Sequence, residues 1–128
     1  MAEFFYRGKN PEKLTREEFL KLLPSGEKRK VKRGFTEQEK KLLKKIAKFE
    51  AQKGKKLIKT HCREMIILPE MIGHKLGIHK GKDFFALDIL PEYVGHRLGE
   101  FAPGTVIVKH GAAGIGASHG TKFSATKK

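Results

Sequence analysis

One ten-residue phrase occurs twice in this chain, and it limits the fold more than any other feature. Leu68-Pro69-Glu70-Met71-Ile72-Gly73-His74-Lys75-Leu76-Gly77 matches Leu90-Pro91-Glu92-Tyr93-Val94-Gly95-His96-Arg97-Leu98-Gly99 at seven of ten positions, and the other three keep their chemical type. Each copy follows an apolar run that reads as a strand. Each then places Pro at a first helical position, Glu in the first turn and Gly at the exit. The two copies predict matching strand-to-turn connectors that deliver a His and a cation to the same relative place. Connector geometry accounts for the Pro, Leu and Gly; Lys75, His96 and Arg97 are candidates for contact with a partner.

The charge balance says what kind of partner. The 128 residues hold 28 Lys and Arg against 14 Asp and Glu, a net charge of +14, with 38% hydrophobic residues and no Trp. A surface that repels itself this strongly fits a polyanionic partner. Nucleic acid is the commonest, because each phosphate neutralised releases a condensed counterion. Residues 1–60 carry 19 basic and 8 acidic residues, and residues 61–128 carry 9 and 6. The electrostatic footprint is expected mainly in the first half and the core mainly in the second. A chromatin-like DNA compactor, or a membrane-surface protein using Leu42, Ile46 and Phe49, is the alternative. Met1-Ala2-Glu3-Phe4 lacks a signal pattern, and Met65–Leu68 is far shorter than a membrane span. The expectation is a soluble, intracellular, cytoplasmic protein.

The first half reads as two helices joined by a basic linker. Thr15-Arg16-Glu17-Glu18 and Thr36-Glu37-Gln38-Glu39 both have capping-box spacing. Pro24-Ser25-Gly26 should stop the first helix, and Gly54 should end the second. In the second, Leu42, Leu43, Ile46, Ala47 and Phe49 keep helical spacing, with Lys40, Lys41, Lys44, Lys45 and Lys48 on the other face. The linker Lys28-Arg29-Lys30-Val31-Lys32-Arg33 puts five cations in six residues, which calls for an anion alongside. From Leu57 onward short strands are expected: a buried one at Met65–Leu68, then a hairpin of Leu76–His79 and Phe84–Ile89 about Lys80-Gly81-Lys82-Asp83. Few polar residues interrupt the second hairpin strand, as for a strand with one face packed on a helix and the other partly covered. The stretch from Phe101, rich in Gly and Ala, buries too little to offset its ordering entropy and reads as an extended tail.

Catalysis finds little support. The six histidines are scattered, with no pair at metal-ligand spacing beside a carboxylate. The lone Cys62 rules out an internal disulfide and a cysteine-rich zinc site. The tail glycines do not form a phosphate-binding fingerprint. No enzyme activity, cofactor or metal is expected.

Several blocks together resemble the small-subunit ribosomal protein S-nineteen (S19) family. They are Lys59-Thr60-His61-Cys62-Arg63, Met65 to Gly73, the Lys80-Gly81-Lys82 turn and Pro91 to Phe101, in order and spacing. The likeness spans about residues 57–123, and Lys109-His110-Gly111 to His119 looks like the archaeal and eukaryotic branch. The resemblance implies a small α+β fold without catalytic activity, bound to small-subunit ribosomal RNA in the subunit head. It further implies ribosomal protein S-thirteen as a neighbour and a tail approaching transfer RNA at the decoding region. The expected architecture is a mostly antiparallel sheet with short helices (57–108), between a basic helical extension (1–56) and an extended tail (109–128). RNA-facing candidates are Lys28, Arg29, Lys30, Lys32 and Arg33; Lys59, Thr60, His61 and Arg63; Lys75; Lys80, Gly81 and Lys82; and His96, Arg97 and Gly99. In the tail they are Lys109, His110, Gly111, His119 and Lys122.

Overall fold

The computed structural model describes residues 3–51 and 56–111. A 3₁₀ turn at Pro11–Lys13 leads into helices α1 (Arg16–Leu22), α2 (Ser25–Arg33) and α3 (Glu37–Ala51). Strands β1 (Ile58–Thr60), β2 (Lys75–His79) and β3 (Phe84–Asp88) follow, with further 3₁₀ turns at Pro69–Met71, Pro91–Tyr93 and Leu98–Phe101. The class is α+β, as the sequence indicates.

Capping chemistry sets the helix starts. The Glu18 amide donates to the Thr15 hydroxyl at 3.4 Å, but the Glu18 carboxylate turns to Lys9 at 3.7 Å and leaves that box half made. At α3 the box closes: the Glu39 amide donates to Thr36 Oγ1 at 3.3 Å and the Thr36 amide to Glu39 Oε2 at 2.9 Å. Leu42 and Ile46 are buried, Leu43 and Phe49 are half-buried and Ala47 is exposed. The terminator expected at Gly54 lies outside the described residues. The expected basic linker is a helix, α2. Pro24, with φ fixed near −58°, ends α1 and serves as the N-cap of α2. Lys and Arg are good helix formers, and Lys30, Lys32 and Arg33 fall in the last turn, where the helix dipole favours cations.

The sheet order is β1-β2-β3. β2 and β3 pair antiparallel through five register pairs, from Lys75↔Asp88 to His79↔Phe84. β1 lies parallel to β2, with Ile58 opposite Leu76. Lys59 and Thr60 therefore sit within β1. Met65–Leu68, expected as a strand, is fully buried but only bridges Ile66 to Arg97. Its backbone pairs irregularly with the second ten-residue copy: Leu98 donates to the Met65 carbonyl at 3.0 Å and Ile67 to the His96 carbonyl at 2.8 Å. β3, expected to pack one face on a helix and to be partly covered on the other, is an edge strand that buries only Leu87 and leaves Phe85 and Ala86 exposed.

The two copies hold each other by a reciprocal exchange. The Gly95 amide donates to the Ile67 carbonyl at 3.0 Å, and the Ile67 amide to His96. With roles reversed, the Gly73 amide donates to the Ile89 carbonyl and the Ile89 amide to the His74 carbonyl, both at 3.0 Å. Each copy thus clasps the residue leading into the other, an approximate two-fold within one chain. Gly73 at φ +82° and Gly95 at φ +89° make the same left-handed exit. Beyond it the copies part, into β2 after His74 and into the Leu98–Phe101 turn after Arg97. Around this clasp one core gathers Phe19, Leu23, Leu42 and Ile46 from the helical half with Ile58, Leu76, Ile78 and Leu98 from the second half.

Candidate nucleic-acid interface

At one end of the sheet the hairpin register brings aromatic rings and cations together. His79 and Phe84 face each other across β2 and β3, their ring centroids 5.1 Å apart and nearly perpendicular. His61, just past β1, lies with its ring 4.2 Å from that of His79 and at 33° to it, and meets Phe84 edge-on at 5.3 Å. Lys59 Nζ stands 5.3 Å from the centre of the Phe84 ring, an attractive cation–π arrangement. The Gly81 amide donates to His79 Nδ1 at 3.3 Å, so the turn carrying Lys80, Gly81 and Lys82 is tied to the same cluster. Lys59, His61, Gly81 and Lys82 are exposed and Lys80 is half-buried. The sequence reading singled out Lys59, His61 and the turn but not His79 or Phe84. The signal was available, since a four-residue turn over Lys80–Asp83 sets residue 79 opposite residue 84.

Other candidates are occupied within the chain. Thr60 is buried, and its hydroxyl accepts from the Cys62 amide at 3.1 Å. Arg63 Nη1 donates to the His79 carbonyl at 2.6 Å, and Nη2 to the carbonyls of Gly99 (3.0 Å) and Ala102 (2.6 Å). Its guanidinium fork therefore fastens the hairpin to the last 3₁₀ turn. Gly99 completes the tie, its amide donating to the Arg63 carbonyl at 2.7 Å. Arg97 pairs with Glu27 of α2 at 3.0 Å and lies 4.0 Å from Glu64. His96 Nδ1 is 2.8 Å from Glu100 Oε2. Lys75 lies 3.8 Å from Asp88 in an exposed cross-strand pair that contributes little.

On α2, Arg29, Lys32 and Arg33 are exposed and Lys28 is half-buried. Lys30 turns inward to the carboxylate of buried Glu39 at 2.8 Å and to the Glu64 carbonyl. Burial alone would raise the Glu39 carboxyl. The hydrogen bond from Lys30, the bond from the Thr36 amide and the Lys30 charge outweigh it and hold the group below its ordinary value. Lys109, His110 and Gly111 are exposed and lie outside any helix or strand; His119 and Lys122 lie outside the described residues. Beyond those turned inward, the candidates are an aromatic and cationic end of the sheet, a cationic stripe on α2 whose last residue, Arg33, lines a hollow with His61, and the tail residues Lys109, His110 and Gly111.

Among the described residues no helix is long and apolar enough to cross a membrane. The family model described as Ribosomal protein S19 matches residues 29–110, from within α2, through α3 and the sheet, into the tail. The chain belongs to the Ribosomal protein S19 family, and so to the structural, RNA-binding proteins of the small ribosomal subunit.

Proposed function

We propose that this protein holds small-subunit ribosomal RNA in the subunit head, with no catalytic role, and does so in the cytoplasm. The observation that carries the reading is the cluster of Lys59, His61, His79 and Phe84 beside Lys80 and Lys82 at one end of the sheet. Rings offer stacking to unpaired bases and the lysines offer charge to phosphates, the combination that irregular, folded RNA requires. Arg29, Lys32 and Arg33 on α2 supply a second phosphate contact. The basic extension (1–56) adds charge, and the tail (109–128), including Lys109, His110 and Gly111, extends toward transfer RNA at the decoding region. Ribosomal protein S-thirteen is the neighbouring protein, and the tail sequence fits the archaeal and eukaryotic branch.

Two measurements test this. The protein should co-sediment with small subunits through a high-salt gradient, and Lys80→Gln with Lys82→Gln should lower its incorporation. Appearance only in the unbound fraction would overturn the reading, as would equal affinity for duplex DNA and for folded ribosomal RNA. With about six to ten phosphates contacted, affinity should fall about 10³- to 10⁵-fold between 50 and 200 mM salt.

A further inference from the structure

Between α3 and β1 runs a groove that the S19 assignment does not explain. Two adjoining hollows, about 530 and 260 Å³, share Lys45 and Lys59 in their walls. A third continues past His61 and Cys62 toward Arg33 and Gly34 at the end of α2. The floor is apolar, with Leu42 and Phe49 from α3 and Leu57 and Ile58 beside them. The rim is cationic. Lys41, Lys45 and Lys48 stand at i, i+4 and i+7 on one flank of α3 and are all exposed; Lys59 of β1 lines the groove while its ammonium lies over Phe84.

His61 lines both the second and third hollows. Its ring is braced from behind by His79, which is itself held by the Gly81 amide and through the Arg63 bond to its carbonyl. An exposed ring fixed in this way pays little entropy when a flat partner settles on it.

We infer that this groove binds a single unpaired RNA strand, with phosphates along Lys41, Lys45 and Lys48 and one base stacked on His61. The inference rests on the proposed function and adds the form of RNA and its path. A duplex turns its bases inward and gives an apolar floor and a ring nothing to bind. An unpaired strand presents both a charged backbone and flat faces. The other cations of α3, Lys40 and Lys44, lie around the helix from the groove and supply a control of equal chemistry.

The test compares five forms of the full chain: wild type, Lys41→Gln/Lys45→Gln/Lys48→Gln, the control Lys13→Gln/Lys40→Gln/Lys44→Gln (whose third site, exposed Lys13, ends the first 3₁₀ turn), His61→Ala and His61→Phe. Each is titrated with an eight-residue oligoadenylate and with full-length small-subunit ribosomal RNA at several salt concentrations. For the oligoadenylate, the groove variant should lower the slope of log affinity against log salt by about 2, at roughly 0.7 per phosphate contact on a single strand. The control should lower it by much less. His61→Ala should lose at least about fivefold in affinity while His61→Phe, which keeps a stacking face, retains it. Equal losses from the groove and control variants, or equal binding by His61→Ala and wild type, would overturn the groove even though ribosomal RNA is bound. Failure of the wild type to bind ribosomal RNA would instead overturn the proposed function.

Discussion

Gly73 and Gly95 occupy the same place in the two copies, yet their surroundings differ. A methyl group on Gly73 would meet no atom within 4 Å, whereas one on Gly95 would stand 2.8 Å from the Tyr6 hydroxyl. Both have φ near +85°, where an L side chain costs about 1–2 kcal/mol. Gly73→Ala should therefore destabilise by about that amount and Gly95→Ala by more, as read from urea unfolding. Removing the ring in Tyr6→Leu/Gly95→Ala should bring the second glycine's penalty, taken against Tyr6→Leu alone, down to that of the first. Equal penalties in the native background would show that Tyr6 swings aside freely. The sequence marked both glycines as turn exits, because φ preference is local. It could not show Tyr6, because that contact joins positions 89 residues apart. Arg63 teaches the same lesson with opposite effect: the family resemblance suggested RNA, while its three carbonyl partners lie 16, 36 and 39 residues away. Arg63→Lys, keeping the charge but losing the fork, should lower stability by about 1.5–3 kcal/mol in the free protein. A variant as stable as wild type but weaker on RNA would return Arg63 to the interface.

At the scale of elements, α2 and α3 are joined by an ion pair that their capping signals alone do not reveal. Thr36 and Glu39 form the box that starts α3, and Glu39 then receives Lys30 from α2. Because the Glu39 pKa is lower folded than unfolded, its contribution to stability is full above the unfolded value. That contribution fades as pH falls through the folded one. Stability of wild type should therefore drop on acidification below about pH 5, and Glu39→Gln should flatten part of that drop while being less stable at pH 7. A Glu39→Gln profile parallel to wild type would show that the pair does not titrate with folding. The cap was legible in Thr36 to Glu39, and so was the hairpin in Lys80 to Asp83, since both depend on neighbours. The missed elements have a different cause. Lys28–Arg33 looked like a linker because charge density obscured good helix formers after a Pro start. Met65–Leu68 looked like a strand because a run of buried apolar residues does not say whether its backbone pairs regularly. Its partner is the second copy, whose two-fold clasp no local pattern encodes.

Taken whole, the molecule places a basic helical half and a plainer sheet half on one core, with +14 of charge left to face outward. This makes salt act on folding and on binding with opposite signs. In the free protein the exposed lysines of α2 and α3 repel one another, and salt at 0.1 M and above screens that repulsion over about 10 Å or less. In the complex the same lysines release counterions, and added salt reverses the gain. The Lys30–Glu39 pair is too buried to be screened much, and the exposed Lys75–Asp88 pair contributes little either way. Raising NaCl from 50 to 500 mM should then raise the melting temperature of the isolated protein, by about 4 °C for each ~1 kcal/mol of repulsion removed. Over the same range its affinity for ribosomal RNA should collapse. A melting temperature that falls with salt would mean that attractive pairs, chiefly Arg97–Glu27 between the sheet half and α2, dominate the surface. The positive charge would then be balanced within the fold, and the physical reason for a polyanionic partner would be gone.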